Sequence, residues 1–262
     1  MTWTEDSESE SPAVDLLRKL GYTEVPADLL DEERTSQKDV ILPQRLLSAL
    51  HRLNPGLAPA ESAQALKAIT HHPSHSLADA HEALYTHLTY GFAVAKSGKR
   101  KQSVTVRYFD FDNPANNEFT VCRQYTIHGT SKHVRPDIVC FVNGIPLAVI
   151  ECKSPTKGEK WREEAIKQLR RYQEAGAEFR GEGAPRLFET VQLVIATCGV
   201  AACYGTVGTP PLPYLDNATS GASVNSALTT PTKINGSTAL SGGANTNSLA
   251  VSFAVGDTIT VN

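Results

Sequence analysis

The spacing of apolar residues divides the chain into a helical first part and a strand-rich second part. Up to about residue 88, apolar residues recur three and four positions apart, which is the period of a helix with one buried face. Beyond it, short runs rich in β-branched and aromatic residues are separated by Gly, Pro, Asn and Asp, as strands and turns are. The pattern predicts helices at 10–21, 37–53, 60–70, 77–88 and 159–175. It predicts strands at 91–96, 103–109, 118–127, 134–142, 145–153, 190–198 and 203–207. This order favours a three-layer α/β or α+β core.

The strands predicted at 134–142 and 145–153 are joined by an Asn-Gly dipeptide, which is typical of a hairpin. Charged residues lie where the apolar pattern breaks: Asp137 near the start of the first strand, and Glu151 and Lys153 at the end of the second. In a hairpin, the start of one strand adjoins the end of the other. The sequence therefore brings an Asp, a Glu and a Lys to one end of two adjacent strands.

Whether these three side chains share a face depends on the connection between the strands. Side chains alternate between the faces of a strand, so Glu151 and Lys153 point the same way. Asp137 joins them only if the connection contains an odd number of loop residues. We expect a three-residue loop with Gly144 left-handed at a G1 bulge, because a two-residue turn would place Asp137 opposite Ile150 on the other face.

This set of groups suits the hydrolysis of a phosphodiester. Asp137, Glu151 and the main-chain carbonyl of Cys152 offer oxygen ligands to a hard cation such as Mg²⁺, which takes few protein ligands plus water and phosphate. Such an ion lowers the pKa of a bound water and neutralises charge on the phosphate. Lys153 can orient or deprotonate the attacking water. The alternative is an ordinary surface carboxylate and lysine at the end of a hairpin.

The helix predicted at 159–175 follows this motif directly. Gln168 and Tyr172 are four residues apart and so share one face of the helix. The ring of Tyr172 can pack inward, which leaves basic side chains to face a phosphate backbone. These basic residues are Lys160, Lys167 and Arg171. The alternative is an ordinary amphipathic helix with a solvated basic face.

Composition sets further limits. The chain has 262 residues, 40% of them hydrophobic, which is enough to bury a sizeable core, and a net charge of -3. Basic residues are frequent between residues 132 and 171, so a local surface can bind DNA despite the acidic total.

The five cysteines lack metal-site spacing and predict buried thiols in a reducing cytoplasm. The histidines between 71 and 87 are interpreted as solvated or packed. Neither a signal peptide nor an apolar run long enough to span a bilayer is present, so we expect no membrane association.

Several motifs also occur together in a specific order and spacing, at residues 108–114, 117–119, 124–125, 135–137, 142–147, 150–155 and 168–172. Through them the chain, over about residues 9–208, resembles the N-terminal nuclease domain of the restriction (R) subunit of type I restriction-modification enzymes. The resemblance implies a PD-(D/E)xK nuclease fold with a mixed central sheet flanked by helices. It also implies that Asp137, Glu151 and Lys153 are the catalytic motif, and that Gln168 and Tyr172 form its QxxxY motif.

Glu10 is a further candidate metal ligand. It lies in a Ser-Glu-Ser-Pro run where Ser9 can cap the first predicted helix and Pro12 falls in its first turn. In the family that the chain resembles, a helix-borne Glu at this place can complete the metal site. The alternative is an exposed N-terminal carboxylate that interacts with the helix dipole.

The resemblance also implies partners and cofactors. The substrate would be double-stranded DNA, and the domain would dock to modification and specificity subunits. ATP and S-adenosylmethionine would act only through the complete complex, because the Gly98-Lys99 pair lacks the upstream glycine and the following Ser or Thr of a Walker A loop. The basic run at 96–101 around this pair is predicted to be a connection between strands that contacts phosphate or only solvent.

Composition changes abruptly at Thr209. The segment 209–262 is rich in Ser, Thr, Asn, Ala and Gly; residues 209–247 are typical of a low-complexity linker, and apolar residues alternate in 249–261 as in a strand. We therefore expect a nuclease domain over 1–208 and a tail over 209–262. The tail could be a fused or frame-shifted end, a strand that pairs with another chain, or disordered.

The sequence thus predicts a Mg²⁺-dependent DNA endonuclease domain of the type I restriction-subunit kind, without its translocase motor. Two alternatives remain open. One is a catalytically idle DNA-binding or assembly module of the restriction complex. The other is a stand-alone nuclease or DNA-repair enzyme that shares only the fold.

Overall fold

The computed structural model describes residues 5–96 and 102–211, and also the backbone of residues 215–216, 233–234 and 238–239. A π-helical turn at Asp6–Glu10 leads directly into the first α-helix. The α-helices are α1 (Ser11–Lys19), α2 (Ala27–Glu32), α3 (Pro43–Leu53), α4 (Pro59–Thr70), α5 (Leu77–Tyr90) and α6 (Lys160–Tyr172). The strands are β1 (Thr23–Glu24), β2 (Phe92–Ala95), β3 (Ser103–Val106), β4 (Phe119–Arg123), β5 (Ile127–His128), β6 (His133–Val134), β7 (Ile138–Val142), β8 (Ile145–Cys152), β9 (Leu193–Thr197), β10 (Ala202–Gly205), β11 (Leu215–Asp216), β12 (Lys233–Ile234) and β13 (Thr238–Ala239).

Within the described residues, a mixed sheet of seven strands runs in the order β1-β4-β7-β8-β9-β10-β11. β8 lies at its centre, antiparallel to β7 and parallel to β9. β2 pairs with β3 and β5 with β6 in separate two-stranded ribbons. The strand that carries the Glu-Cys-Lys run is therefore supported by a neighbour on each side.

Both faces of the central strands are buried, and adjacent residues of β7 belong to different hydrophobic clusters. Ile138 and Cys140 pack in a small cluster with Val14 of α1. Val139 and Phe141 belong to a larger cluster that also contains residues of α3, α4, α5 and α6. This alternation is the period of two that a strand imposes. It produces helices on both faces of a mixed sheet, which confirms the predicted fold class.

Most of the predicted elements are present, with two kinds of difference. Helices predicted at 60–70, 77–88 and 159–175 are confirmed as α4, α5 and α6, whereas the one predicted at 37–53 begins only at Pro43, because Leu42 before it has an extended backbone. The short elements α2 and β1 were not predicted. The long strands predicted at 118–127 and 134–142 are each interrupted, and both interruptions lie at the site described below.

The connection between β7 and β8 is a two-residue turn, so the predicted three-residue loop with a G1 bulge is wrong. Val142 pairs with Ile145, and the two residues between them, Asn143 and Gly144, have φ of 52° and 78°. Both are left-handed, as in the type I′ turn whose twist matches that of the flanking strands. A Cβ atom on Gly144 would lie 2.7 Å from the carbonyl oxygen of Leu42, so only glycine fits here.

One extra residue is needed to bring Asp137 to the face of Glu151, and this residue lies inside β8 and not in the turn. Midway along the pair the register shifts by one residue, and Leu147 forms a β-bulge. Pro146 beside it has no N–H to donate to the ladder, and within sheets proline occurs at such irregularities. Continued past the bulge, the register sets Asp137 across from Glu151. The predicted face was therefore right, although the predicted cause was not.

Two predictions concern segments outside the described residues. Residues 97–101 of the predicted basic connection are not described, nor is the strand predicted at 249–261. Of the predicted tail, the described backbone includes β11, which pairs antiparallel with β10.

Candidate active site

Asp137 precedes β7 and reaches the end of β8. Its Oδ2 atom accepts a hydrogen bond of 2.7 Å from the N–H of Cys152. Its Oδ1 atom accepts one of 3.2 Å from the side-chain amide of Gln124. Because donors from two different strand ends hold its two oxygens, the Asp137 carboxylate has a fixed orientation.

Glu151 and Lys153 form a buried ion pair on the same side of β8. The Glu151 side chain is fully buried, and the Lys153 ammonium donates to its Oε1 atom at 2.6 Å. The ammonium also donates to the main-chain carbonyl of Cys152 at 2.8 Å. The other carboxylate oxygen, Oε2 of Glu151, has no hydrogen-bond partner among the described residues. An unpaired buried carboxylate oxygen is costly, and this atom is of the kind that Mg²⁺ accepts as a ligand.

The π-helical turn places Glu10 at the same site. Only 7% of Glu10 is exposed, so the alternative of an exposed N-terminal carboxylate is wrong. Its Oε2 atom accepts a hydrogen bond of 3.0 Å from the amide of Gln124. Ser9 is not the predicted helix cap, because helical structure begins before it; its hydroxyl instead donates to the carbonyl of Thr197 at 3.3 Å.

Two further glutamates of the N-terminal segment contact Lys153 and the Ser154 that follows it. Glu5 lies 3.4 Å from the Lys153 ammonium, and Glu8 accepts a hydrogen bond of 2.8 Å from the hydroxyl of Ser154. Sequence reasoning did not assign a role to either residue. Their placement follows from the π-helical turn, which packs against β8.

The electrostatics of the site reflect several carboxylates at close quarters. Burial, and after it the nearby Asp137 carboxylate, raises the pKa of Glu151 to about 8 against the opposing effect of Lys153. Burial also raises the pKa of Glu10, which the hydrogen bond from Gln124 partly offsets. Burial alone would lower the pKa of Lys153, but the nearby carboxylates, Glu151 first among them, together outweigh burial and the pKa is raised. Negative charge at this site is therefore under-compensated, and a bound cation would relieve it.

The donor set suits Mg²⁺, an ion that does not need to be enclosed by protein ligands. Among the described residues, no group of three or more His, Cys, Asp and Glu side chains is arranged to hold a metal ion by itself. Mg²⁺ does not require such a group, because it binds through one or two carboxylates and keeps several waters. Asp137, the unpaired oxygen of Glu151 and the Cys152 carbonyl match this requirement.

Helix α6 lies behind the site, and its two motif residues contact each other. The amide of Gln168 donates to the hydroxyl of Tyr172 at 2.5 Å, and that hydroxyl is 3.4 Å from the carbonyl oxygen of Arg135. Tyr172 is only 2% exposed, so it cannot lie directly against DNA. The guanidinium carbon of Arg171 lies over the Tyr172 ring, 5.0 Å from its centre. The pair thus supports the loop that precedes Asp137.

The predicted DNA-facing lysines of α6, Lys160 and Lys167, are exposed, and Arg171 is partly exposed. All five cysteines are buried free thiols, as predicted. Of the clustered histidines, His81 contacts the carbonyl of Val191 at 2.9 Å, and His87 packs on Phe92.

Sequence reasoning assigned no role at the site to Gln124. It directly follows β4 and has a φ of 54°, which is unusual for a residue with a Cβ atom. Its main-chain N–H donates to the carbonyl of Asp137 at 2.9 Å. Residues 124–125 are one of the motifs that carry the family resemblance, but a glutamine at the end of an apolar run predicts no specific role, and its place at the site depends on this backbone conformation.

A mixed sheet whose two central strands bring together an Asp and a Glu-x-Lys run, with a helix packed behind, is the core of the PD-(D/E)xK restriction-endonuclease-like fold. Residues 3–211 match the family model described as type I restriction enzyme R protein N terminus. The chain belongs to this family.

The relatives it matches are much longer proteins. A putative type I restriction enzyme MjaIXP endonuclease subunit of Methanocaldococcus jannaschii is 28% identical over 209 residues, which are 77% of this chain and 19% of that protein. The type I restriction enzyme HindI endonuclease subunit of Haemophilus influenzae is 29% identical over 170 residues, 64% of this chain and 15% of that protein. The chain thus spans less than a fifth of the length of these relatives. No helix in the described part of the chain is long and apolar enough to cross a membrane.

Proposed function

We propose that this chain is a Mg²⁺-dependent DNA endonuclease domain that hydrolyses phosphodiesters of double-stranded DNA as part of a type I restriction subunit. One observation carries the proposal. The oriented Asp137 carboxylate, the unpaired Glu151 oxygen and the Lys153 ammonium meet at the ends of two paired central strands.

The residues that would hold Mg²⁺ are Asp137, Glu151 and the carbonyl of Cys152, with Glu10 beside them as a further candidate ligand. When bound, the ion would activate a water molecule and offset charge on the scissile phosphate. Lys153 contacts two of these ligands already, so its ammonium is positioned to orient the attacking water beside the phosphate. The fixed hydrogen bond from Cys152 keeps Asp137 aimed at the same place.

The exposed face of α6 is the proposed DNA contact. Lys160, Lys167 and Arg171 would bind the phosphate backbone, a contribution that is independent of DNA sequence and weakens with salt. Gln168 and Tyr172 would orient DNA indirectly through the loop at Arg135. The described relatives are named endonuclease subunits. We infer from this that modification and specificity subunits supply S-adenosylmethionine binding and sequence choice, that ATP is used elsewhere in the complex, and that the protein acts in the cytoplasm.

Conversion of supercoiled plasmid to nicked and linear forms, with and without Mg²⁺, tests the proposal. Wild type should cleave only with the ion, and Asp137→Ala, Glu151→Gln and Lys153→Met should each lower the rate by about 10²-fold or more. Asp112→Asn is the control, because Asp112 is an exposed carboxylate outside the site. DNA binding without Mg²⁺-dependent cleavage by wild type would instead support an idle DNA-binding module.

A further inference from the structure

We infer that Gln124 is a positioning residue that holds Asp137 and Glu10 apart in the arrangement that a divalent cation requires. The inference rests on the proposed metal site. It adds a residue whose amide acts on the ligands without touching the ion.

The side-chain amide of Gln124 is shared between two carboxylates. Its nitrogen donates to Oε2 of Glu10 at 3.0 Å and to Oδ1 of Asp137 at 3.2 Å. An amide nitrogen has two hydrogens, so each carboxylate receives one. A neutral donor between two anions fixes their separation without neutralising either, and so leaves the negative charge available to a cation. A lysine or arginine at this place would compete with the ion.

The backbone of Gln124 is also committed to Asp137. Its N–H donates to the carbonyl of Asp137 at 2.9 Å, so one residue holds Asp137 by both main chain and side chain. This geometry needs the left-handed φ of 54° that ends β4. Left-handed backbone is unfavourable for residues with a Cβ atom and persists where the surroundings determine it, often at functional sites.

Asp137 thus receives hydrogen bonds from the ends of the two strands that flank β7. Gln124, from the end of β4, donates to Oδ1, and Cys152, from the end of β8, donates to Oδ2. Groups that orient metal ligands in this way typically contribute 10- to 100-fold to metal affinity. A residue that only terminated β4 would not need its amide to face two carboxylates.

The test is calorimetric titration of the whole chain with Mn²⁺ in the absence of DNA, together with thermal melting. Gln124→Met keeps the length of the side chain and removes the amide, and Gln124→Gly removes the amide while relieving the backbone. We expect both variants to stay folded at the assay temperature and to weaken Mn²⁺ binding by about 10- to 100-fold. In plasmid nicking, the Mg²⁺ concentration for half-maximal rate should rise while the rate at saturating Mg²⁺ changes less.

The chain offers a matched control in Glu174, whose φ is also 54° and whose carboxylate accepts a hydrogen bond of 3.2 Å from the N–H of Gly183. Glu174→Gly relieves the same backbone conformation away from the motif, and its Mn²⁺ affinity should stay within about twofold of wild type. Folded Gln124 variants with wild-type affinity would overturn the inference. So would variants that unfold at the assay temperature while Glu174→Gly does not, because Gln124 would then be a purely structural residue.

Asp137→Ala separates this inference from the proposed function. If Asp137→Ala loses Mn²⁺ binding and the Gln124 variants do not, the metal site stands and only the role of Gln124 is wrong. If wild type and Asp137→Ala bind Mn²⁺ equally, or neither binds it, the metal site itself is wrong and the role of Gln124 falls with it.

Discussion

Lys153 makes contacts that a metal ion would also make. Its ammonium lies 2.6 Å from Oε1 of Glu151, 2.8 Å from the carbonyl of Cys152 and 3.4 Å from Glu5. Two of these three oxygens belong to proposed metal ligands. Lysine and cation therefore compete for the same negative charge when the ion first binds.

This competition gives opposite predictions for two members of the motif. Asp137→Ala removes a ligand and should weaken Mn²⁺ binding by about tenfold or more, whereas Lys153→Met should leave binding equal to or tighter than that of wild type. Calorimetric titration with Mn²⁺ measures both. The ligand role of Asp137 is refuted if its loss leaves affinity unchanged, and weaker binding by Lys153→Met would contradict the competition.

A second prediction at the residue scale concerns the buried hydroxyl of Tyr172. Tyr172→Phe removes the contact with Gln168 and with the carbonyl of Arg135, so the loop before Asp137 loses a support. Tyr108→Phe is the matched control, because its buried hydroxyl donates to the carbonyl of Ala65 at 2.8 Å away from the site. Each change should cost about 1 kcal/mol in urea unfolding. Only Tyr172→Phe should slow nicking per folded molecule, by about tenfold; equal rates in the two variants would make Tyr172 a packing residue.

The elements could be predicted from sequence only as far as local patterns reach. Helices α4, α5 and α6 were predictable because their apolar spacing extends over three or more turns. The short α2 and β1 contain too few residues to establish a period, and their structure comes from tertiary contacts. The bulge at Leu147 was the decisive omission, and Pro146 in a central strand was the signal that could have located it.

The residues of the candidate site were likewise only partly predictable from sequence. Asp137, Glu151 and Lys153 were predictable because their charges interrupt apolar strands. The contacts of Gln124 depend on one left-handed backbone angle, and those of Glu5 and Glu8 on a π-helical turn. Neither conformation leaves a trace in the residue pattern, because it is set by the packing of segments far apart in the sequence.

The partly buried side chain of His81, on α5, predicts how the stability of the fold depends on pH. Nε2 of His81 lies 2.9 Å from the carbonyl oxygen of Val191 on the segment before β9, and burial lowers the pKa of His81 despite this hydrogen bond. The unfolded chain therefore binds a proton at a higher pH than the folded chain. Stability from this residue is present above the unfolded pKa of about 6.5 and is lost as the pH falls below it towards the lowered pKa of the folded state.

We expect wild type to lose about 0.5–1 kcal/mol more than His81→Gln between pH 7 and pH 5 in urea unfolding, after allowance for partial exposure of the ring. The free energy of unfolding of His81→Gln should still decrease somewhat from pH 7 to pH 5, because burial lowers the pKa of His87 as well. His75→Gln is the control, since His75 is exposed. Parallel pH profiles for wild type and His81→Gln would contradict the assignment.

At the scale of the whole molecule, the boundary between the nuclease domain and the tail remains a prediction. Contacts in the structure indicate at which residue the chain should tolerate truncation. The N–H of Gly208 donates to the side chain of Gln173 at 2.8 Å, and Arg170 donates to the carbonyl of Thr209 at 3.0 Å. Both contacts tie the end of the family-matched region, residues 3–211, to the C-terminal end of α6. The two-residue strand β11 lies beyond them at the edge of the sheet.

A chain that ends at Pro211 should keep both ties and melt within about 2 °C of the full chain, with equal nicking per folded molecule, because a two-residue edge strand adds little to the sheet. A chain that ends at Val207 loses both ties and should be less stable by about 1–2 kcal/mol. Limited proteolysis of the full chain should cut between about residues 212 and 247 and leave a resistant core, since a segment poor in apolar residues buries too little surface to resist cleavage. Unfolding of the chain that ends at Pro211, while one that ends at Asn217 stays folded, would place β11 inside the domain and move the boundary beyond it.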